Sequence, residues 1–284
     1  MEVVSTIAAA RALLDRTRHG GGTVGLVPTM GYLHDGHASL VRRSAADNDL
    51  TMTTIFVNPL QFAPTEDLAA YPRDLDRDLA ICDAAGAGVV LAPPVEEMYP
   101  QPVLTTVAVP DIAAPLEGVE RPSHFAGVAT VVAKLFNIAG PCRAYFGEKD
   151  WQQLQIVTRM AADLSFQVDV VGCAIVREAD GLAMSSRNIY LDSDDRRAAP
   201  VLYRALCAGR DAIEAGERDP STVRDVMHAV FAAEPRAALG YAEVVEAASL
   251  KPLTTIRGDV RLLASARLGP ARLIDNVGVT VADR

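Results

Sequence analysis

The chain has 284 residues, half of them hydrophobic by count, and a formal net charge of −9. That length suits one large or two modest domains with a sizeable core. The acidic balance argues against a nucleic-acid groove, which needs a basic face, while leaving room for a nucleotide held by a few cations in one cleft.

In chain order, a strand is expected over 23–30 and a helix over 36–48, with Leu40, Val41 and Ala45 on one face. An apolar strand at 50–57 follows, then a helix over 67–85 with a charged outer face, and a short strand at 89–92. Residues 105–109 read as extended. Phe125, Val128, Val131, Val132, Leu135 and Phe136 form an apolar stripe at helical spacing over 125–138. A strand at 144–146, a helix over 149–164 and a strand at 168–176 complete the alternation. This rhythm argues for a Rossmann-like parallel sheet with helices on both faces.

The pattern changes near Val176. A polar loop, 177–187, leads to a long helix over 193–215. A second helix opens at Asp219-Pro220-Ser221, with Ser221 as its cap. Strands are expected over 242–246, 261–266 and 273–276. The fold expected is therefore α/β, with residues 1–176 as a Rossmann-like domain and 177–284 as a smaller α+β C-terminal domain. No run approaches the ~20 apolar residues of a membrane span, and the first residues carry neither a charged leader nor a cleavage pattern. A cytoplasmic protein with no nucleic-acid or membrane partner is expected. The four cysteines, Cys82, Cys142, Cys173 and Cys207, contain no C-x-x-C pair, so reduced, mostly buried thiols are expected.

Two familiar patterns are decoys. The letters G-x-G-x-x-G at 20–25 precede a strand instead of following one, so they are not a dinucleotide turn. The HGGG of residues 19–22 has no G-x-S-x-G elbow to accompany it.

The informative stretch is Pro28 to His37, PTMGYLHDGH, where a strand hands over to a helix. Ligands of parallel sheets bind beyond the carboxyl ends of the strands. The first turn of a helix there offers N–H groups and the positive end of a dipole. Two imidazoles added at that place, His34 and His37, make a site for a polyphosphate. Three further segments fall where the same cleft needs them. Asn58 and Gln61 are neutral polar groups among apolar neighbours, suited to orienting a small polar substrate, although Asn-Pro also starts ordinary turns. Lys149 and Gln153 are four apart on an expected helix face. A lysine in an opening turn opposes the dipole, which points to a ligand that wants the cation. Ser185, Ser186 and Arg187 combine two hydroxyls with a guanidinium in the polar loop, as a phosphate clamp does.

Together these segments resemble the pantoate–β-alanine ligase (pantothenate synthetase) family of the H-x-G-H nucleotidyltransferase superfamily. The likeness runs from end to end, through PTMGYLHDGH at 28–37, FVNPLQF at 56–62 and EDLAAYPRDLDRD at 66–78. It continues through HFAGVATVVAKLFNI at 124–138, FGEKDWQQL at 146–154 and MSSRN at 184–188. The resemblance implies joining of pantoate to β-alanine with ATP and Mg²⁺, in two steps by way of pantoyl adenylate, releasing pyrophosphate and then AMP.

Carried onto matching positions, the resemblance places ATP along Met30, Gly31, Tyr32, Leu33, His34, Asp35, Gly36 and His37. Gly147, Glu148, Lys149 and Asp150 hold the ribose and phosphates, Val176 lies against the adenine, and Met184, Ser185, Ser186 and Arg187 close over the triphosphate. His34 and His37 face the phosphates, with His37 the expected proton donor. Gln61 and Gln153 bind pantoate, Gln61 also facing β-alanine, and Asn58, Val131, Val132 and Phe146 complete that pocket. His34, His37, Lys149, Ser185 and Arg187 are expected to act by charge and position, without a covalent enzyme intermediate. Asp76 or Asp78 is offered to Mg²⁺, and Arg77 between them leaves the choice open. A homodimer is implied by the resemblance alone. A reactive adenylate needs shelter from water, so the C-terminal domain with its 184–188 loop is expected to be a cover hinged near Val176.

Rival readings are distinguishable. An adenylyltransferase making a dinucleotide would not use Gln61 with Gln153 for a hydroxy acid. A class I tRNA synthetase would be larger and less acidic. A nucleotide sensor would tolerate loss of His37.

Overall fold

The computed structural model describes residues 1–62, 68 and 71–282. It contains a six-stranded parallel sheet and a three-stranded antiparallel one. The chain divides into two compact units, Met1–Glu148 with Gln152–Ala174, and Lys149–Trp151 with Ile175–Arg284.

In the first unit, β1 (Glu2–Val4) leads to α1 (Ile7–His19), capped by the Thr6 hydroxyl on the Ala9 N–H at 3.2 Å. Then come β2 (Val24–Thr29), α2 (Asp35–Asp47), β3 (Leu50–Ile55), α3 (Leu75–Ala85) and β4 (Val89–Leu91). Three short helices follow, α4 (Val95–Met98), α5 (Pro110–Ala113) and α6 (Glu117–Glu120). The unit closes with α7 (His124–Ala139), β5 (Cys142–Gly147), α8 (Trp151–Asp163, its first residue grouped with the other unit) and β6 (Val168–Cys173).

The strand order is β1-β4-β3-β2-β5-β6. Strands 2 to 4 run one way from β2 and strands 5 and 6 the other, so the order reverses between β2 and β5. The central strands are almost wholly buried, as a sheet covered on both faces requires. Val27, Val90 and Tyr145 pack with Leu33 and Val41 of the α2 region and Cys82 of α3. The helices α1 and α7 pack on each other and on β2.

Pro28 sits near the end of a central strand, where a missing N–H would cost a ladder bond. The Thr29 carbonyl accepts the Phe56 N–H at 3.1 Å, so Thr29 faces β3 and Pro28 faces β5. The β2–β5 ladder covers only Gly25↔Arg143 and Leu26↔Ala144. Proline therefore stands where the ladder has already ended, at the carboxyl side of the reversal point.

The second unit contains α9 (Ser193–Ala198), α10 (Val201–Glu214), α11 (Pro220–Ala232) and the meander β7 (Ala237–Glu246), β8 (Gly258–Leu268), β9 (Ala271–Val281). Leu202, Leu206, Val223, Met227, Leu262 and Leu273 lie at the centre of its core.

Several sequence expectations need correction. The helix expected over 67–85 begins at Leu75, because Asp74 caps it and Pro72 disfavours helix at Tyr71. Its expected residues 67, 69 and 70 lie outside the described residues. Residues 105–109 join no ladder. The long helix expected over 193–215 is two, since Pro200 cannot continue the ladder of α9. The cap of α11 is Asp219, which accepts the Ser221 N–H at 2.9 Å, while Ser221 lies inside the first turn. The C-terminal strands run well beyond the expected cores. Of the cysteines, all free, only Cys82 is fully buried. Burial pushes the Cys82 thiol up to about 11 and the half-buried Cys142 thiol up to about 12, which makes both inert.

Candidate active site

The loop between β2 and α2 is shaped by two left-handed residues, Gly31 with φ 88° and Tyr32 with φ 52°. Glycine adopts that region freely, whereas tyrosine must be held there. Asp78 of α3 supplies the hold: its two oxygens accept the Tyr32 and Leu33 N–H groups, each at 2.7 Å. Burial pushes the Asp78 carboxyl upward, opposed by those two amides. The Arg77 guanidinium lies 5.0 Å from the Tyr32 ring centroid, a cation–π distance. Asp78, one of the two carboxylates offered to Mg²⁺, thus sets the loop through both of its oxygens. Asp76 is exposed in the first turn of α3. Among the described residues, no group of three or more His, Cys, Asp or Glu is placed to hold a metal ion.

The loop delivers His34 as the N-cap of α2. Its Nδ1 accepts the Gly36 N–H at 3.1 Å, and the His37 Nδ1 accepts the His34 N–H at 3.3 Å. This is a capping box built from two imidazoles, with ring centroids 4.1 Å apart. A neutral imidazole whose Nδ1 accepts carries its proton on Nε2. Both rings are therefore Nε2–H donors at the positive end of a helix. Asp35 opens the first turn of that helix, next to Gly36.

Gln61 closes a short 3₁₀ turn, Pro59–Gln61, at the end of β3. Its Nε2 donates to the Met30 Sδ at 2.8 Å. Asn58 is 1% exposed. Its Nδ2 donates to Gln61 Oε1 at 3.2 Å and to the Gly127 carbonyl at 3.1 Å. Its Oδ1 accepts from the Leu60 N–H at 3.3 Å and the Tyr99 hydroxyl at 2.9 Å. All four of its hydrogen-bonding positions are taken. Asn58, expected to line the pantoate pocket, also holds Gln61. Val131 and Val132 on α7 and Phe146 on β5 are buried, Phe146 edge-on to Phe136. Gln153 is half-buried on α8.

Sequence reasoning missed three residues here. His124 Nδ1 donates to the Gln61 carbonyl at 2.9 Å, and Arg121 reaches the same oxygen at 3.3 Å. His124 heads the apolar stripe of α7, and that position was its only signal. Gln152, beside the chosen Gln153, is buried and bonds the carbonyls of Ile112 and Pro115 and the Glu117 N–H.

Gly147 ends β5, and a side chain added there would meet nothing within 4 Å. Lys149 follows in a 3₁₀ turn, Glu148–Asp150, before α8 begins at Trp151. The shared helix face expected for Lys149 and Gln153 is corrected accordingly, since the 3.6-residue period does not extend through a 3₁₀ turn. In the second unit, Lys149, Ser185, Asn188 and Asp275 line one small crevice. The Lys149 ammonium is 3.8 Å from Asp150 Oδ1. The Val176 carbonyl accepts the Met184 N–H at 3.0 Å, and Ser185 caps the 3₁₀ turn Ser186–Tyr190 through the Arg187 N–H at 3.3 Å. The Arg187 side chain is exposed.

A parallel sheet that reverses order beside an imidazole-capped helix defines a doubly wound α/β protein, a class whose ligands bind at such a reversal. The family model described as pantoate-beta-alanine ligase matches residues 2–278. The pantothenate synthetase of Roseiflexus sp. is 54% identical over 279 residues, covering 97% of this chain and 98% of that protein. That of Moorella thermoacetica is 50% identical, with full coverage of both. The crystal structure of pantothenate synthetase from Thermus thermophilus has a TM-score of 0.93 at 48% identity, covering 98% of this chain and 99% of that one. A Francisella tularensis pantoate-beta-alanine ligase, solved in complex with beta-gamma ATP and beta-alanine, has a TM-score of 0.80 at 30% identity, with 98% and 97% covered. The chain belongs to the pantoate–β-alanine ligase family and is an enzyme of that kind.

Proposed function

We propose that the chain uses ATP to condense pantoate with β-alanine by way of pantoyl adenylate. The observation that carries this reading is the imidazole pair capping α2 at the carboxyl edge of β2, beside the strand-order reversal. In the first step a pantoate carboxylate oxygen attacks the α-phosphorus, the bond to the β-phosphate oxygen breaks, and pyrophosphate leaves. In the second, the amine of β-alanine attacks the activated carbonyl, the C–O bond to AMP breaks, and the amine loses a proton.

Both reactants of the first step are anions, so the enzyme must neutralise charge and fix the line of attack. The Nε2–H groups of His34 and His37 meet phosphate oxygens, and His37 donates to the charge that develops on the leaving group. Lys149, Ser185 and Arg187 neutralise the triphosphate. Met30 to His37, with Gly147 to Asp150, Val176, Met184 and Ser186, bind the nucleotide. Gln61 orients pantoate, with Gln153 and the apolar Val131, Val132 and Phe146 around it. Each preorganised donor of this kind is worth about 3–4 kcal/mol of barrier. Mg²⁺ bound with ATP would offset phosphate charge and would need no more than one or two protein carboxylates. Asp76 or Asp78 would hold it, and Arg77 between them leaves the choice open.

In this reading residues 1–176 bind ATP and pantoate, and 177–284 keep water from the adenylate. X-ray scattering with and without a non-hydrolysable ATP analogue tests that division, and identical profiles count against it. The protein works as a homodimer in the cytoplasm, where ATP-dependent synthesis and reduced cysteines belong. Leu104 is 95% exposed, beside the also exposed Val103, in a stretch that joins no ladder. Such apolar exposure suits a second copy. Sedimentation of Leu104→Asp should show monomers.

An assay for AMP tests the reaction itself. Turnover requires pantoate and β-alanine together, and AMP made at full rate without either substrate defeats the reading.

A further inference from the structure

Adjacent residues of β9 hold two stretches of the second unit that are far apart in sequence. Asp275 accepts both terminal nitrogens of Arg177, at 2.6 and 2.9 Å. Arg177 also donates to the Gly181 carbonyl at 3.0 Å and stacks 3.9 Å from the Tyr203 ring centroid. This pair pins the start of the loop that carries Ser185. The next residue, Asn276, is 1% exposed and donates from Nδ2 to the Lys149 carbonyl at 2.8 Å. Its Oδ1 accepts the Arg261 Nε–H at 2.7 Å. The Arg261 guanidinium lies 3.6 Å from the Trp151 ring centroid, and Trp151 Nε1 donates to the Ala247 carbonyl at 2.7 Å.

A lysine carries its charge on a flexible four-carbon stem. Its ammonium is placed only as well as its backbone is placed. The Lys149 backbone lies in a 3₁₀ turn at a strand-to-helix junction, outside the bonding ladders of both. The amide of Asn276 and the Arg261–Trp151 stack supply the missing restraint, on either side of Asp150. Burying a guanidinium is costly unless it is hydrogen-bonded and paired, and Arg261 has the Asn276 Oδ1 and the Trp151 ring against it. Here the stack fixes the ring that follows the lysine by two residues.

The geometry points to Asn276, with Arg261 and Trp151, as positioning residues that set Lys149 for the triphosphate. This rests on the reading of Lys149 given above. None of the three touches the nucleotide, and they act through the lysine.

The test uses the full-length enzyme and a non-hydrolysable ATP analogue. Asn276→Asp keeps an acceptor for Arg261 but has no donor for the Lys149 carbonyl. Trp151→Phe keeps a ring for the stack but loses the indole N–H, and it carries the test if the first variant does not fold. Thermal melting establishes folding. Analogue affinity and kcat should fall about tenfold, the effect of one lost interaction near 1.4 kcal/mol, while the KM for pantoate stays unchanged. In a Lys149→Ala background the same substitutions should alter affinity by less than about twofold, because their effect passes through the missing side chain. Folded variants with normal affinity, or an equal loss with and without the lysine, overturn the inference. Lys149→Ala with normal affinity and turnover would instead overturn the role of the lysine itself.

Discussion

The Nδ1 of His37 accepts the backbone N–H of His34 at 3.3 Å, so one catalytic candidate locks the other into place. The same two rings complete the cap of α2 and carry their protons on the opposite nitrogen. In the proposed mechanism stability and chemistry are thereby joined in one pair of side chains, and substitutions can separate them.

Asparagine is as good an N-cap as any residue. His34→Asn should therefore keep the melting temperature near that of the parent while turnover falls. His37→Ala should lower kcat by about 10²–10³-fold, the usual loss for one transition-state donor. Steady-state rates of AMP release, measured beside thermal melts, check both. Turnover within a few-fold of the parent in His37→Ala would remove its catalytic role.

Gly127 lets α7 approach the turn that carries Gln61. A Cβ at that position would stand 2.1 Å from the Leu60 carbonyl oxygen and 2.7 Å from the Gln61 Cα. Gly127→Ala must push the turn away and disturb Asn58, which bonds the Gly127 carbonyl. The expected cost is about 1–3 kcal/mol of stability, together with a raised KM for pantoate and an unchanged KM for ATP. A stable variant with a normal pantoate KM would break the link between that turn and the substrate.

Asp219 gives the second unit a pH-dependent cap. The hydroxyl and N–H of Ser221 hold its carboxyl below the ordinary carboxylate range. A depressed folded value means that its stabilisation is present above the unfolded value of about 3.9 and is lost as pH falls through the folded value. An asparagine in its place would cap without titrating. The melting advantage of the parent over Asp219→Asn should therefore shrink between pH 7 and about pH 3, and a constant difference would contradict the assignment.

The first half of the fold was largely legible because buried parallel strands are short, apolar and separated by helices of regular period. The strand ends and the H-x-G-H turn followed from that rhythm. What escaped depended on contacts between distant residues. Three residues at β1 carry too little pattern to declare a strand, and only pairing with Val89 to Leu91 makes them one. The period of residues 193–215 continues past Pro200 on paper, but the missing N–H divides the helix. The loop-setting role of Asp78 is not visible in the sequence, because the two amides it accepts belong to residues far back along the chain. The bonds of Asn58 to Tyr99 and Gly127 were likewise hidden, because both partners are distant in sequence. The sequence offers Lys149 as a phosphate ligand, but the Asn276 amide that bonds its carbonyl lies more than a hundred residues away on β9.

The attack of pantoate on the α-phosphate is the central claim, and oxygen tracing tests it most directly. Pantoate labelled with ¹⁸O in its carboxylate is incubated with ATP and β-alanine, and the products are weighed by mass spectrometry. The account predicts one ¹⁸O in the phosphate of AMP and the other in the amide carbonyl of the condensed product. Label appearing in inorganic phosphate or pyrophosphate, with AMP unlabelled, would contradict it.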